Sequence, residues 1–188
     1  MPEAEPQFPQ SMLEAVSFAA RAHQGQLRKD GKTPYLSHVF RVCLVLRDLF
    51  DIHDDKALTA ALLHDTIEDT TTDFDDLEEN FGGEIAGWVA ALSKDKRRPE
   101  PEREDAYVEQ LQNAPWQVQV CKLADIYDNL SDLGSSSPEK WSRTFKNAHR
   151  YLDGLKANLA EQAREPWNLV SELLATMEAG ETGRSGGA

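Results

Sequence analysis

Helix start signals recur along almost the whole chain, and no convincing alternation of Val, Ile and Thr marks a half-buried strand. Ser11-Met12-Leu13-Glu14 reads as a capping box: the serine accepts from an amide one turn on and the glutamate reaches back, opening a helix to about Ala22. Thr33-Pro34 places a cap ahead of a proline at the first helical position and starts a helix from Tyr35 to about Phe50. Asp54 or Asp55 caps the next, which is expected to run unbroken to about Asp69. Phe74 to Asn80 forms another, broken at Gly82-Gly83 and resumed to about Leu92. After a charged loop from Ser93 to Pro101, helices are predicted from Glu102 to Gln112, from Pro115 to about Leu133, from Ser137-Pro138 to about Ala163, and from Pro166 onward. The expected fold is therefore all-α, a bundle of roughly eight to ten helices.

A chain of 188 residues defaults to one domain, and an apolar share of 40% is enough for one sizeable core. That domain is expected over 11–179, between a proline-bearing leader at 1–10 and a glycine-rich, loose tail at 180–188. The net charge of −13 argues against nucleic acid or an anionic membrane as partner, because phosphates are repelled over most of the exterior. An anionic ligand must then use a local basic patch. No apolar run approaches the roughly 18 residues of a membrane span, and the first residues lack the basic and apolar segments of a signal peptide. A cytoplasmic location is expected. Cys43 and Cys121 sit in apolar helical patterns and read as reduced core residues.

Polar residues interrupt the core pattern at three places. Leu58 to Leu63 is apolar nearly all round, and the helix then turns polar at His64-Asp65-Thr66-Ile67-Glu68-Asp69. His64 and Glu68 are four apart, as are Asp65 and Asp69, which puts two short polar stripes on adjacent faces. Three carboxylates and an imidazole beside a core must be protonated, solvated or neutralised by a cation. Either a metal gathers them or the helix simply emerges into water there. The second place is His38, in line with Val42, Val45 and Leu49 on an inward stripe, where an imidazole is either hydrogen-bonded in the core or a ligand. The third is Lys122 to Leu130. Leu123, Ile126 or Tyr127, and Leu130 face the core, and Asp125, Asp128, Asn129 and Asp132 form a polar stripe that is alternatively a solvated face.

Taken in order, His38, His64-Asp65 and Asp125, each on its own helix, resemble the H…HD…D signature of the HD-domain metal-dependent phosphohydrolases. Four longer strings, Phe18 to His23, Arg28 to Tyr35, Ala60 to Thr70 and Lys122 to Asp125, are similar to the RelA/SpoT-type hydrolases of guanosine tetra- and pentaphosphate. The similarity covers roughly residues 11–165. This length leaves no room for the synthetase and regulatory modules of the bifunctional members, so the chain most resembles the small stand-alone form, the metazoan SpoT homologue among them. Two positions depart from the pattern. Val39 stands where the family often has proline, and Ile126 where it often has a basic residue; neither is a ligand, and the second falls where substrate contacts are expected.

The resemblance implies an HD-domain bundle holding Mn²⁺ on His38, His64, Asp65 and Asp125. The ligand types alone also admit other divalent ions, since two imidazoles and two carboxylates without thiolate make a mixed N/O set. It further implies that Glu68 and Asp69 orient and deprotonate the attacking water, and that Asn129 contacts the nucleotide sugar. Arg28, Lys29 and Lys32, close to Arg21 in a positively charged stretch, either hold the pyrophosphate or form a plain Gly/Lys surface turn. Lys94, Lys96, Arg97 and Arg98 are a phosphate-contacting loop or a solvated one. The leading expectation is hydrolysis of the 3′-pyrophosphate of guanosine tetraphosphate, a guanine nucleotide, to GDP and pyrophosphate. A phosphomonoesterase acting on a nucleotide such as NADPH and a non-catalytic nucleotide-binding module are the alternatives.

Overall fold

A computed structural model describes residues 10–185 apart from Ser135. The regular structure of the described residues is helical: α1 Gln10–Ala22, α2 Leu36–Leu44 continued by a π-helical turn Val45–Leu49, α3 Asp55–Leu63, α4 Thr66–Asp69, α5 Phe74–Phe81 and α6 Gly83–Leu92. Then follow α7 Glu100–Gln112, α8 Trp116–Ser131, α9 Pro138–Lys156, a 3-10 turn Glu161–Ala163 and α10 Arg164–Ser185. Among the described residues the one β-type pairing is an isolated bridge between Leu27 and Pro34. The all-α bundle is as expected.

The middle of the bundle is α3, where every residue from Ala57 to Leu63 is buried and which packs against α1, α2, α6 and α8. Its small residues Ala57, Ala60 and Ala61 let the neighbouring helices approach closely, and α1 answers with Ala15 and Ala19. Asp54 caps it, accepting from the Ala57 amide at 2.8 Å. His64 and Asp65 therefore follow directly on a helix that is buried from Ala57 onward.

Several boundaries differ from expectation for local reasons. The capping box at Ser11 is absent: α1 already begins at Gln10, whose amide donates to Glu14. Residues 1–9 of the expected leader lie outside the described residues. Thr33 does not cap α2 but bonds back to Asp30, and the cap position is Tyr35. The stripe through Val45 and Leu49 is corrected by the π-helical turn, which delays the phase by one residue. Leu46 and Phe50 face the core instead, and Leu49 is exposed. The helix expected to run to Asp69 is broken after Leu63. His64 Nδ1 is 2.8 Å from the Ala61 carbonyl and the Thr66 hydroxyl donates to that of Leu63, so side chains take over part of the backbone ladder. The long helix from Pro138 stops at Lys156 because buried Gln119 holds the following turn, donating to the Asn158 carbonyl and accepting from the Ala160 amide. The loose tail is corrected in part: α10 continues to Ser185, with Glu178 within 2.8 Å of His149 on α9. Residues 186–188 lie outside the described residues.

Candidate metal centre and its cavity

Imidazoles and carboxylates converge where α2, the turn between α3 and α4, and α8 meet. His38 Nε2 lies 3.4 Å from Asp65 Oδ2 and 3.3 Å from Asp125 Oδ1. His64 Nε2 lies 3.0 Å from Asp65 Oδ2. Donor atoms of His38, His64 and Asp65 all fall within 4.8 Å of one another, the spacing of groups that share one ion. Asp125 joins them through His38, and its carboxylate also accepts from Lys122 Nζ at 2.7 Å and Asn129 Nδ2 at 2.5 Å. The break after Leu63 is what lets two consecutive residues serve one point, because a continuous helix would aim them about 100° apart.

The electrostatics of this cluster call for positive charge. Burial opposes the charged form of His38, but hydrogen bonds with Asp125, Asp128 and Asp65 outweigh it and hold the imidazole up to about 11. Burial likewise opposes His64, and the adjacent Asp65 still raises it. Asp65 and Asp125 are held well below the usual carboxylate range: burial pushes them up, and the imidazoles, with Lys122 at Asp125, more than reverse it. Two buried carboxylates thus face two imidazoles, and one divalent cation shared among them would offset the same negative charge. His64 Nε2 is buried and has no hydrogen-bond partner although a carboxylate oxygen is 3.0 Å away. An orphaned nitrogen so placed fits a metal ligand, and the N/O donor set without thiolate fits manganese or a similar ion.

The cluster forms one wall of a cavity of about 340 Å³, within the usual range for small-molecule sites. Glu68 lines it, with Oε2 accepting from the Lys94 amide at 2.9 Å; burial raises its carboxyl pKa. Asp69 does not line it. Its carboxylate is exposed, taken by Lys96 Nζ at 2.7 Å, with the Tyr35 hydroxyl 3.4 Å away. The expected pair is therefore split between the cavity and the rim.

The expected basic residues separate too. Residues 26–35 form a turn closed by the amides of Arg28 and Tyr35 donating to the carbonyls of Thr33 and Gln26. At its tip Gly31 takes φ +68° and Asp30 accepts from the amides of Lys32 and Thr33. Arg28 and Lys29 face the cavity, but Lys32 is exposed at the tip and lies outside it. Arg28 is bound to Asp132 at 2.7 Å and sits over the Tyr35 ring. Burial and the charges of Arg143, Lys140 and Arg28 lower the Lys29 pKa, so four cations crowd one side of the cavity. In the second basic run, Lys94 turns inward to Glu104 at 3.0 Å and Lys96 pins Asp69, whereas Arg97 and Arg98 pair with Asp95 in solvent.

Sequence patterns alone had pointed to neither Lys140 nor Arg143, which sit three apart on α9 and read as an ordinary solvated face. Tyr35, whose hydroxyl donates to Asp65 Oδ2 at 2.5 Å, was legible only as part of a longer string. Lys122 is buried over the rings of Tyr107 and Tyr151, an attraction between cation and aromatic face that no spacing announces. The stripe on α8 is not the solvated face it resembles, since Asp128 is only 3% exposed.

Comparison with known proteins bears on the family and the fold. The family model of the HD domain matches residues 15–151. The guanosine-3′,5′-bis(diphosphate) 3′-pyrophosphohydrolase MESH1 of Danio rerio is 40% identical over 155 residues, covering 79% of this chain and 86% of its own. The Homo sapiens MESH1 protein is 43% identical over 132 residues, covering 70% and 74%. A solved structure of a metazoan orthologue of SpoT that hydrolyses ppGpp superposes with a TM-score of 0.75 at 31% identity, over 89% of this chain and 96% of that one. By matched length, identity and shared fold, the chain belongs to the HD-domain family, in the group that contains the MESH1 proteins.

Proposed function

We propose that residues 11–179 form one hydrolase domain that cleaves the 3′-pyrophosphate from guanosine tetra- and pentaphosphate, giving GDP and pyrophosphate from the tetraphosphate. In this reading His38, His64, Asp65 and Asp125 hold one divalent cation, Mn²⁺ in the first instance. The observation that carries it is the pairing of two walls: a nitrogen and carboxylate cluster with an orphaned His64 Nε2, facing a group of cations that a chain of net charge −13 has no general reason to collect. When bound, the cation lowers the pKa of water and offsets charge on the phosphoryl oxygens.

The chain's own groups supply the rest. Glu68 Oε2 is fixed by the Lys94 amide, which leaves Oε1 to accept the proton of the attacking water. Its raised pKa, from burial, brings its basicity closer to that task. Asp69, held at the rim by Lys96, orients the short helix α4 rather than touching the reacting atoms. Lys29, Lys140 and Arg143 receive the phosphates remote from the reacting bond, and Asn129, on α8 beside Asp125, hydrogen-bonds the sugar. Two buried free thiols, Cys43 and Cys121, accord with a reducing, cytoplasmic location, and no described helix is long and apolar enough to cross a membrane.

The test is an end-product assay with the Mn²⁺-loaded protein. Guanosine tetraphosphate should yield intact pyrophosphate and GDP. Release of orthophosphate alone, or a higher kcat/KM on NADPH, would overturn the proposal in favour of a phosphomonoesterase.

A further inference from the structure

Both nitrogens of the His38 ring are engaged by carboxylates of a single helix. Asp125 Oδ1 stands 3.3 Å from Nε2, on the cavity side, and Asp128 Oδ2 stands 2.6 Å from Nδ1 on the other edge. The two aspartates are three residues apart on α8 and so share a face. Helix α2 returns the same spacing: three residues beyond His38, Arg41 donates from Nε to Asp128 Oδ1 at 2.6 Å and from Nη2 to Oδ2 at 3.0 Å. The helices are thereby clamped by two reciprocal pairs, and Asp128 itself is 3% exposed and does not line the cavity.

We infer that Asp128 is a positioning residue for His38, and that Arg41 completes the device. Resting on the cation site proposed above, the argument is geometric. A histidine offers a metal its Nε2 lone pair only if the proton stays on Nδ1 and the ring is held at the right tilt. Asp128 accepts the Nδ1 proton in a short, charge-assisted bond and so fixes both. Arg41 occupies both oxygens of Asp128, so the carboxylate cannot rotate away from His38. Because Asp128 lies on the far edge of the ring from the cavity, it orients a ligand without being one.

The experiment measures Mn²⁺ affinity of the full chain by competition with a chelator, in parallel with steady-state kinetics on guanosine tetraphosphate. Asp128→Ala should weaken Mn²⁺ by about 10- to 100-fold, the usual scale for losing such a partner, and leave KM near wild type at saturating Mn²⁺. Asp128→Asn keeps an acceptor toward Nδ1 but turns a donor on Arg41 and gives up the charge, so it should recover only part of the loss. Arg41→Met, which frees the carboxylate to turn, should fall between the two. If Asp128→Ala does not fold, the asparagine and methionine variants carry the test, with a measurable loss expected in Arg41→Met. Mn²⁺ affinity within about twofold of wild type in every variant that folds would overturn the inference and leave the proposed function standing, since a mere tie between helices would not move the ion. A wild-type protein that binds no Mn²⁺ would overturn the proposed function and this inference with it.

Discussion

The two walls of the cavity differ in how completely folding satisfies them. On the imidazole and carboxylate wall the carboxylates already have partners: Asp65 holds the Tyr35 hydroxyl and lies beside two imidazoles, Asp125 holds Lys122 and Asn129, and behind the wall Asp128 holds His38 and Arg41. On the cationic wall Arg28 is held by Asp132, but among the described residues Lys29 and Arg143 have no carboxylate in salt-bridge distance, and the Lys140 ammonium reaches only the Ser136 hydroxyl. The first wall is built by the fold: its carboxylates are paired, and His64 Nε2 is the buried nitrogen left for the proposed cation. The second is more open to water and can afford to wait for an anion. Preorganisation is thus concentrated where charge must be placed to within an ångström, and adaptable charge where an anion must be admitted and released.

The largest effect should come from breaking the built wall. Asp65→Asn removes the carboxylate shared by both imidazoles, and kcat should fall more than about 10³-fold, the equivalent of several kcal/mol of lost charge stabilisation. Elemental analysis of the purified variant should show the ion gone, with its far-UV spectrum intact because the core around α3 is assembled without it. Chelator treatment of the wild type should do the same reversibly, and its melting temperature should drop only by the linkage contribution of the ion.

Glu68→Gln keeps shape and burial but removes the proton acceptor. About 10²-fold in kcat should be lost while the ion content stays at the wild-type level. Loss of the ion as well would place Glu68 in the ligand set and erase the division between holding and reacting groups.

The cationic wall should respond in KM rather than kcat. Lys29→Ala or Arg143→Ala should raise KM for guanosine tetraphosphate about tenfold, the scale of one charge-assisted hydrogen bond, and change KM less for a nucleotide monophosphate ester. Added salt should reproduce part of the effect, since more exposed charges are screened. A fall in kcat with unchanged KM would show that this wall, too, acts on the reacting bond.

The smallest effect belongs to the rim. Lys96 bonds the Asp69 carboxylate and the Glu68 carbonyl, tying the loop after α6 to α4. Lys96→Met should lower kcat by no more than about fivefold and hardly move the melting temperature, because a pair this exposed is worth at most about 1 kcal/mol. A larger fall would promote Asp69 from the rim to the reaction.

Much of this was written in residue spacing. Helix existence and type followed from caps, prolines and the apolar run at Leu58–Leu63, which are local and therefore legible. His38 and His64-Asp65 stood out because polar groups beside an apolar run need an explanation wherever the helices end up, whereas Asp125 was set apart from the rest of its polar stripe only by the resemblance to the HD-domain hydrolases. Asp128 was legible only as one member of that stripe and Arg143 not at all, because an aspartate or arginine three residues along a helix looks the same whether water or another helix covers it. Only the packing of α2 onto α8 buries Asp128 against His38, and only the return of α9 across the cavity sets Lys140 and Arg143 beside Lys29. The π-helical turn and the break after Leu63 have the same origin. Each departs from the regular helix its sequence favours, and in the second the side chains of His64 and Thr66 take the bonds the ladder gives up. The sequence by itself determined where most helices lie and which residue types interrupt their apolar faces, since these depend on neighbours along the chain. The tertiary structure alone decided which charges are buried, which face one another and which are left unpaired, since those depend on neighbours in space.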